Sequence, residues 1–424
     1  MIDGQRNTFH TLQQAVDSHP GKWIWIHASS LGEFEQGRPL IEKIKAQHPD
    51  LNICLSFFSP SGYEVRKNYE LADAVVYLPF DTPSNARRFI DTLKPSMAIF
   101  IKYEFWGNYL QQLKAHHIPT YLISAIFRKG QIFFLPWGGT FRKMLGCFDH
   151  IFVQDDNSKK LLAGIGINNV TINGDTRIDR VNDVKNLPDG QAALLRNFSN
   201  RRFTLVVGSS WEPDEDLYIP WLNAHNDACA IIAPHQFDEH RLQLLRKRID
   251  GPTRLLSQWA PEDEANHDIK AVIIDSFGLL SRLYRLADAA YIGGGFGAGI
   301  HNINEAAVYG IPVIFGPKHL KFKEASDLID CGGAYSIADA NQLNSTLDNL
   351  KDDLAARTQS GKAAASYIAH HLGATDRIYK AYLRLILCKF LCLFAFHITF
   401  LCTFAIYIKT TLYETTQVTP ADDR

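Results

Sequence analysis

Three short stretches of this chain set acids or a guanidinium where a reacting group could be handled. Ser29-Ser30-Leu31-Gly32-Glu33 follows the apolar run Lys22 to Ala28 (KWIWIHA) and opens a helical pattern that continues toward Ala46. A carboxylate fixed at a helix start, directly after a strand, can take a proton from a hydroxyl. The same position also suits an acid that merely complements the helix dipole. Lys102-Tyr103-Glu104-Phe105-Trp106 follows a second apolar run. There Glu104 is either an acid with a raised pKa among aromatics, a binder of sugar hydroxyls, or a paired structural acid. Gly174-Asp175-Thr176-Arg177-Ile178-Asp179 offers Arg177 to a phosphate, with a salt bridge to Asp175 or Asp179 as the competing reading.

A fourth stretch, Ala287 to Pro317, has five glycines between Gly293 and Gly299, Gly294 and Gly295 among them. It reads as a strand (Ala289 to Ile292), a glycine turn, a helix starting near Asn302, and a returning strand (Pro312 to Phe315). Glycines let a backbone approach a ligand closely, and a helix start presents unpaired N–H groups, so this unit can hold an anion. Asn302 and Glu305 are three apart and share a face of that first turn, with Ile303 and Asn304 between them. A carboxylate beside a phosphate would repel it, so Glu305 suits a pair of sugar hydroxyls. Tight packing alone would also call for such glycines. A dinucleotide fingerprint is a poor fit, because the stretch lies past residue 290 and not in the first βαβ unit. Small or polar groups recur at other strand ends: Gly208-Ser209-Ser210-Trp211, Ala233-Pro234-His235 and Asp275-Ser276-Phe277-Gly278.

The elements that must position these residues alternate along the chain. Strand-like runs are Leu51 to Phe57, Ala74 to Leu78, Met97 to Ile101, Pro119 to Ser124 and His150 to Val153, with amphipathic segments between most of them. The rhythm resumes at Phe203 to Val207, Ala228 to Ala233 and Ala271 to Ile274. Alternating strands and helices predict parallel sheets covered on both faces. We expect two α/β domains, 1–180 and 203–378, joined by a polar linker at 181–202, with a cleft between them. Ligands bind at the carboxyl ends of such strands, where the candidate residues mostly fall.

Composition narrows the function. At 424 residues the chain is too long for one ordinary core. Hydrophobic residues at 46% and charged residues at 21% indicate a globular protein. Lys+Arg 44 against Asp+Glu 45 leaves a net charge of -1, so no basic field points to nucleic acid. The seven cysteines include no CxxC pair, which argues for reduced thiols and against a disulfide framework or zinc site. Met1 to Pro20 is polar and helical in pattern, not a signal peptide.

With those residues in view, the chain resembles the Kdo transferases, which attach 3-deoxy-D-manno-octulosonic acid (Kdo) to the lipid A precursor of Gram-negative bacteria. The resemblance runs from about Lys22 to Arg377. It rests on His27-Ala28-Ser29-Ser30-Leu31-Gly32-Glu33, Glu104-Phe105-Trp106, Gly174 to Asp179, Asp275 to Gly278, and Gly293 to Glu305 with His301-Asn302. It implies a GT-B glycosyltransferase fold of two Rossmann-like domains, CMP-Kdo as donor substrate, lipid IVA as acceptor, inversion at the anomeric carbon, and no metal or other cofactor. It makes Glu33 the base on the acceptor hydroxyl, and Glu104 and Arg177 the pair that stabilises the transition state. Ser30 and Gly32 accompany the base. Ser209, Ser210, Pro234, His235, Phe277, Gly278, Leu279, Gly294, Gly295, Asn302, Ile303, Asn304 and Glu305 line the donor site.

The chain departs from the common family pattern at four of these places. His235 stands where an arginine is frequent, Arg177 where a lysine is, Leu279 where a glutamate is, and Lys102 where many members carry a first acid. Members usually begin with an apolar N-terminal anchor, and this chain starts Met1-Ile2-Asp3. It carries instead the apolar run Leu385 to Ile408, whose 24 residues at about 1.5 Å each would cross a bilayer core of about 30 Å. Residues 379–424 are thus expected as a membrane-associating tail, with the enzyme on the cytoplasmic face of the inner membrane. Two other readings stay open: a GT-B enzyme using a different nucleotide sugar, and a catalytically inert relative that binds the lipid A precursor.

Overall fold

The computed structural model describes residues 2–199 and 202–381. The expected apolar run from Leu385 lies outside the described residues. The chain opens with a helix, Ile2–Ser18, as its polar pattern predicts. Seven strands then form one sheet: β1 (Trp23–His27), β2 (Asn52–Phe57), β3 (Ala74–Tyr77), β4 (Met97–Ile101), β5 (Thr120–Ala125), β6 (His150–Val153) and β7 (Val170–Ile172). Seven more form a second: β8 (Phe203–Ser210), β9 (Ala228–Pro234), β10 (Thr253–Leu255), β11 (Ala271–Ile273), β12 (Ala289–Ile292), β13 (Val313–Phe315) and β14 (Ala334–Ser336). The orders are β3-β2-β1-β4-β5-β6-β7 and β10-β11-β9-β8-β12-β13-β14, and every pairing is parallel.

Central strands such as WIWIH and NICLSF are buried at every position, because helices cover both faces of each sheet. Each sheet therefore carries two apolar layers, one per face. Strand order reverses direction between β1 and β4 and between β8 and β12, and such switch points open a crevice at the carboxyl ends. The candidate residues stand at those ends.

Three strands were not expected: β7, β10 and β14. Each has three residues, with a single one buried. The helix expected near Asn302 is also corrected. It is a single turn, Asn304–Ala307, followed closely by Gly310 at φ 71°. One turn has little dipole, so no helix N-terminus serves as an anion site there.

The segment 181–202 is structured. Val181, Ala192, Leu195 and Phe198 all enter one apolar layer of the second sheet. The chain then returns. Residues 374–381 are helical, and Ile378 and Tyr379 pack into the layer of the first sheet that holds Ile41, Ile44 and Phe152. Asp179 fastens this return by accepting hydrogen bonds from the Gly373 and Thr375 amides, both at 2.6 Å.

Candidate active site

On the first sheet, β1 ends at His27 and the chain turns into the helix Leu31–Gln47, with Ser30 as its N-cap. The Glu33 carboxylate folds back to accept from the Ser30 amide at 3.0 Å and its hydroxyl at 3.3 Å. Half-buried at the cleft, Glu33 is held above the ordinary carboxylate pKa by burial and then by the nearby charge of Glu104. The Ser30 hydrogen bond, His27 and Lys102 oppose the rise. Gly32 is exposed beside it.

Glu104 is 6% exposed and is a paired acid, one of the three readings open from the sequence. Its Oε2 accepts from the Trp106 indole at 2.6 Å and meets His27 Nε2 at 3.0 Å. His27 Nδ1 lies 2.8 Å from the Ser56 hydroxyl, which also accepts from the Trp25 indole at 2.8 Å. Trp25 donates to Ser56, and the two ring nitrogens of His27 bridge Ser56 to Glu104. Oε1 of Glu104 takes no hydrogen bond among the described residues.

Arg177 opens the helix Thr176–Asn186 behind β7. Its guanidinium bonds Asp175 Oδ2 through Nε at 2.8 Å and reaches Glu324 Oε1 on the second half at 3.0 Å. Burial opposes its charge, but the two carboxylates hold the guanidinium firmly protonated. Of the two salt-bridge partners considered from sequence, Asp175 is present, while Asp179 is occupied at residues 373–375.

The second sheet contributes the ends of β8, β9, β11 and β12. Ser209 sits in a left-handed conformation at φ 54°, and Ser210 is buried against Tyr218. The His235 ring stacks on Trp211 at 4.1 Å and lies 4.9 Å from His301, so three rings line the glycine loop. Phe277 is 87% exposed and touches Phe237 edge-on, with Gly278 turning at φ 85° behind it. Leu279 packs on the core.

The glycines answer first to packing. A Cβ on Gly293 would stand 2.4 Å from the Ser209 carbonyl, and one on Gly295 would stand 2.5 Å from the Gly316 amide. Gly294 adopts φ 91° and donates to the buried carboxylate of Asp214 at 2.9 Å. Below the loop, Asn302 donates to Glu305 Oε1 at 3.1 Å and accepts from the Asn304 amide at 3.2 Å. Burial pushes the Glu305 carboxyl up to about 7, against the Asn302 hydrogen bond. Glu35 of the first half adds to that rise, which puts the two halves within electrostatic reach. Ile303 and Asn304 are buried, and both amide atoms of Asn304 lack a partner among the described residues.

The structure thus places Glu33, Glu104 and Arg177 after strand ends of the first sheet, and the loop residues with Glu305 after a strand end of the second. Two residues that matter were missed from sequence. Asp214 ties down Tyr291, Gly294 and Trp211. Its signal was its place three residues after Trp211, where an acid caps a helix start. Glu324 engages Arg177 from 147 residues away, and nothing local marks it. A cavity of about 860 Å³ lies elsewhere, between the first helix and Pro83–Leu93, and includes Trp23 at the start of β1. It contains none of the candidate residues and sits at the amino end of β1, so strand-end geometry guides the assignment better than cavity size.

The family model described as 3-deoxy-D-manno-octulosonic-acid transferase (Kdo transferase) matches residues 4–180. A 3-deoxy-D-manno-octulosonic acid transferase from Bordetella pertussis is 28% identical over 377 residues, covering 84% of this chain and 85% of the relative. One from Haemophilus influenzae is 26% identical over 393 residues, covering 85% and 86%. Among solved structures, Acinetobacter baumannii MurG superposes with a TM-score of 0.57 at 11% identity, covering 86% of this chain and 100% of that one. The S. aureus MnaA-UDP co-structure gives 0.58 at 14% identity, covering 86% and 98%. These two likenesses concern the fold, which is GT-B. Joined to the match across the first sheet and the likeness to named transferases over most of the chain, they make it a glycosyltransferase similar to the Kdo transferases.

Proposed function

We propose that this enzyme transfers Kdo from CMP-Kdo to the 6′-hydroxyl of the lipid A precursor lipid IVA, with inversion and without a metal. The observation that carries the reading is Glu33, a half-buried carboxylate of raised basicity set across the cleft from the glycine loop. Glu33 removes the proton of the acceptor hydroxyl. That oxygen attacks the anomeric carbon, the bond to the phosphate breaks, and CMP departs from the opposite face with the bonding electrons. The proton then leaves Glu33 for solvent. Glu104, ionised and fixed by His27 and Trp106, makes Glu33 a stronger base by charge alone. Arg177 meets the charge that develops on the leaving phosphate, a stabilisation that depends on preorganisation. Glu305 takes the ribose hydroxyls, and Ser209, Ser210, Pro234, His235, Gly294, Gly295 and Phe277 to Leu279 surround the nucleotide.

A lipid acceptor requires membrane contact, on the cytoplasmic face where CMP-Kdo is available. Trp137, 72% exposed, and Phe141, 40% exposed, lie close in sequence to Lys129, Arg142 and Lys143, a composition suited to a lipid interface. Among the described residues no helix is long and apolar enough to cross a membrane.

The test is a mass spectrum of lipid IVA after incubation with CMP-Kdo and enzyme in detergent, wild type beside Glu33→Ala. A gain of one or more Kdo units in wild type alone is expected, with kcat/KM falling on the acid side at a midpoint above 4.5 because the base must be ionised. No gain in either sample, with the protein folded, would move the assignment to another nucleotide sugar or to an inert binder.

A further inference from the structure

Lys102 closes β4 with φ at 69°, a left-handed backbone that a lysine seldom adopts. Its amide still donates to the Ile123 carbonyl at 2.9 Å, so the twist begins as strand pairing ends. The side chain is half-buried and lies among Glu33, Asp175, Arg177 and Glu324. All three of those acids are engaged elsewhere, Glu33 with Ser30 and the other two with Arg177. Among the described residues no carboxylate comes within ion-pair distance of the Lys102 ammonium, whose recorded contact is the Tyr103 ring at 5.4 Å. Burial and the neighbouring Arg177 both push the ammonium toward its neutral form, so a further anion there would be favoured.

The charges that act on Lys102 include those of the proton acceptor Glu33 and of the Arg177 guanidinium. In the reading above, the reacting carbon lies between the same two groups, because the acceptor oxygen is at Glu33 and the departing phosphate at Arg177. In a 2-ulosonic acid donor that carbon is bonded directly to a carboxylate. An unneutralised carboxylate so close to Glu33 and Glu104 would be repelled. We propose that Lys102 binds the carboxylate of the donor's ulosonic acid, as the cation beside Glu33 and Arg177 that no acid among the described residues has taken. The assignment rests on the donor reading given above. It makes Lys102 a specificity determinant, selecting an acidic sugar over a neutral one without touching the nucleotide.

Calorimetric titration with fresh CMP-Kdo and, separately, with CMP tests this in wild type, Lys102→Asn and Lys102→Arg. Asparagine removes the charge and tolerates the left-handed backbone, so the neutral variant retains the fold. The expected result is a loss of about 10-fold or more in CMP-Kdo affinity for Lys102→Asn, an unchanged CMP affinity, and recovery of most of the loss in Lys102→Arg. An equal loss on CMP, by a variant with wild-type thermal unfolding, would assign Lys102 to the phosphate and overturn the proposal. So would an unchanged CMP-Kdo affinity, with or without a moved acid limb in kcat/KM. If wild type itself binds CMP-Kdo no better than CMP, the donor reading fails and the proposal with it, which the variants alone could not produce.

Discussion

Among the candidate site residues, Glu305 has its acidity shifted strongly by burial. Its folded pKa is raised to about 7 from an ordinary 4.5, so the folded state holds a proton there that the unfolded state releases. Glu305 therefore contributes stability that is present below about pH 4.5 and is lost as pH rises through about 7. In the proposed function the ribose hydroxyls donate to Glu305, and an ionised carboxylate accepts both more strongly than a carboxylic acid does, so donor binding draws on the ionised form. CMP-Kdo affinity is expected to rise between pH 6 and 8, where its phosphodiester does not titrate, and Glu305→Gln should flatten that rise. A slope that survives in the glutamine variant would remove Glu305 from the ribose. Single residues were legible in the sequence where type and strand-end position coincide, as at Glu33, Glu104 and Arg177. Their pairings were not. Glu104 gave three readings until His27 and Trp106 were seen on its Oε2, and Lys102 registered as a departure from pattern before its neighbours gave it a role.

Between elements, an ion pair joins the helix Thr176–Asn186 to the helix Lys323–Asp330. Arg177 reaches Glu324 there while also holding Asp175. In the proposed function a donor phosphate competes with Glu324 for the same guanidinium, and removing one of two acids favours the phosphate. Glu324→Gln is expected to tighten CMP-Kdo binding by roughly 3- to 10-fold, the scale of about 1 kcal/mol, and Arg177→Ala to weaken it more than that. Weaker binding in Glu324→Gln would mean that Glu324 orients Arg177 for the phosphate and does not oppose it. The elements themselves were read well where burial is two-sided. β1, β2, β4 and β9 are apolar runs because both faces are covered. β7, β10 and β14 bury one residue each and leave no such run. The helix expected near Asn302 after the glycine turn is a single turn, which Gly310 follows closely.

For the whole molecule, the defining feature is that the first sheet is completed by the far end of the described chain. Ile378 is 2% exposed among residues of the first sheet's layer, and Tyr379 meets His48 across 331 positions at 3.1 Å. Ile378→Ala should cost about 2–4 kcal/mol, read as a lowered unfolding midpoint, with the CMP affinity of the second half unchanged at low temperature. Loss of CMP binding in that variant would mean the return also shapes the donor site. The boundary expected at residue 378 followed the end of the family resemblance, and nothing in eight residues reveals which of two sheets they cover. Their destination matters during synthesis. At roughly 5–20 residues per second, the 333 positions between Lys43 and its partner Asp376 take on the order of 20–70 s to emerge. Throughout that interval the nascent first half carries an open apolar seam beside Ile41 and Ile44, exposed to chaperones and to neighbouring chains on the same message.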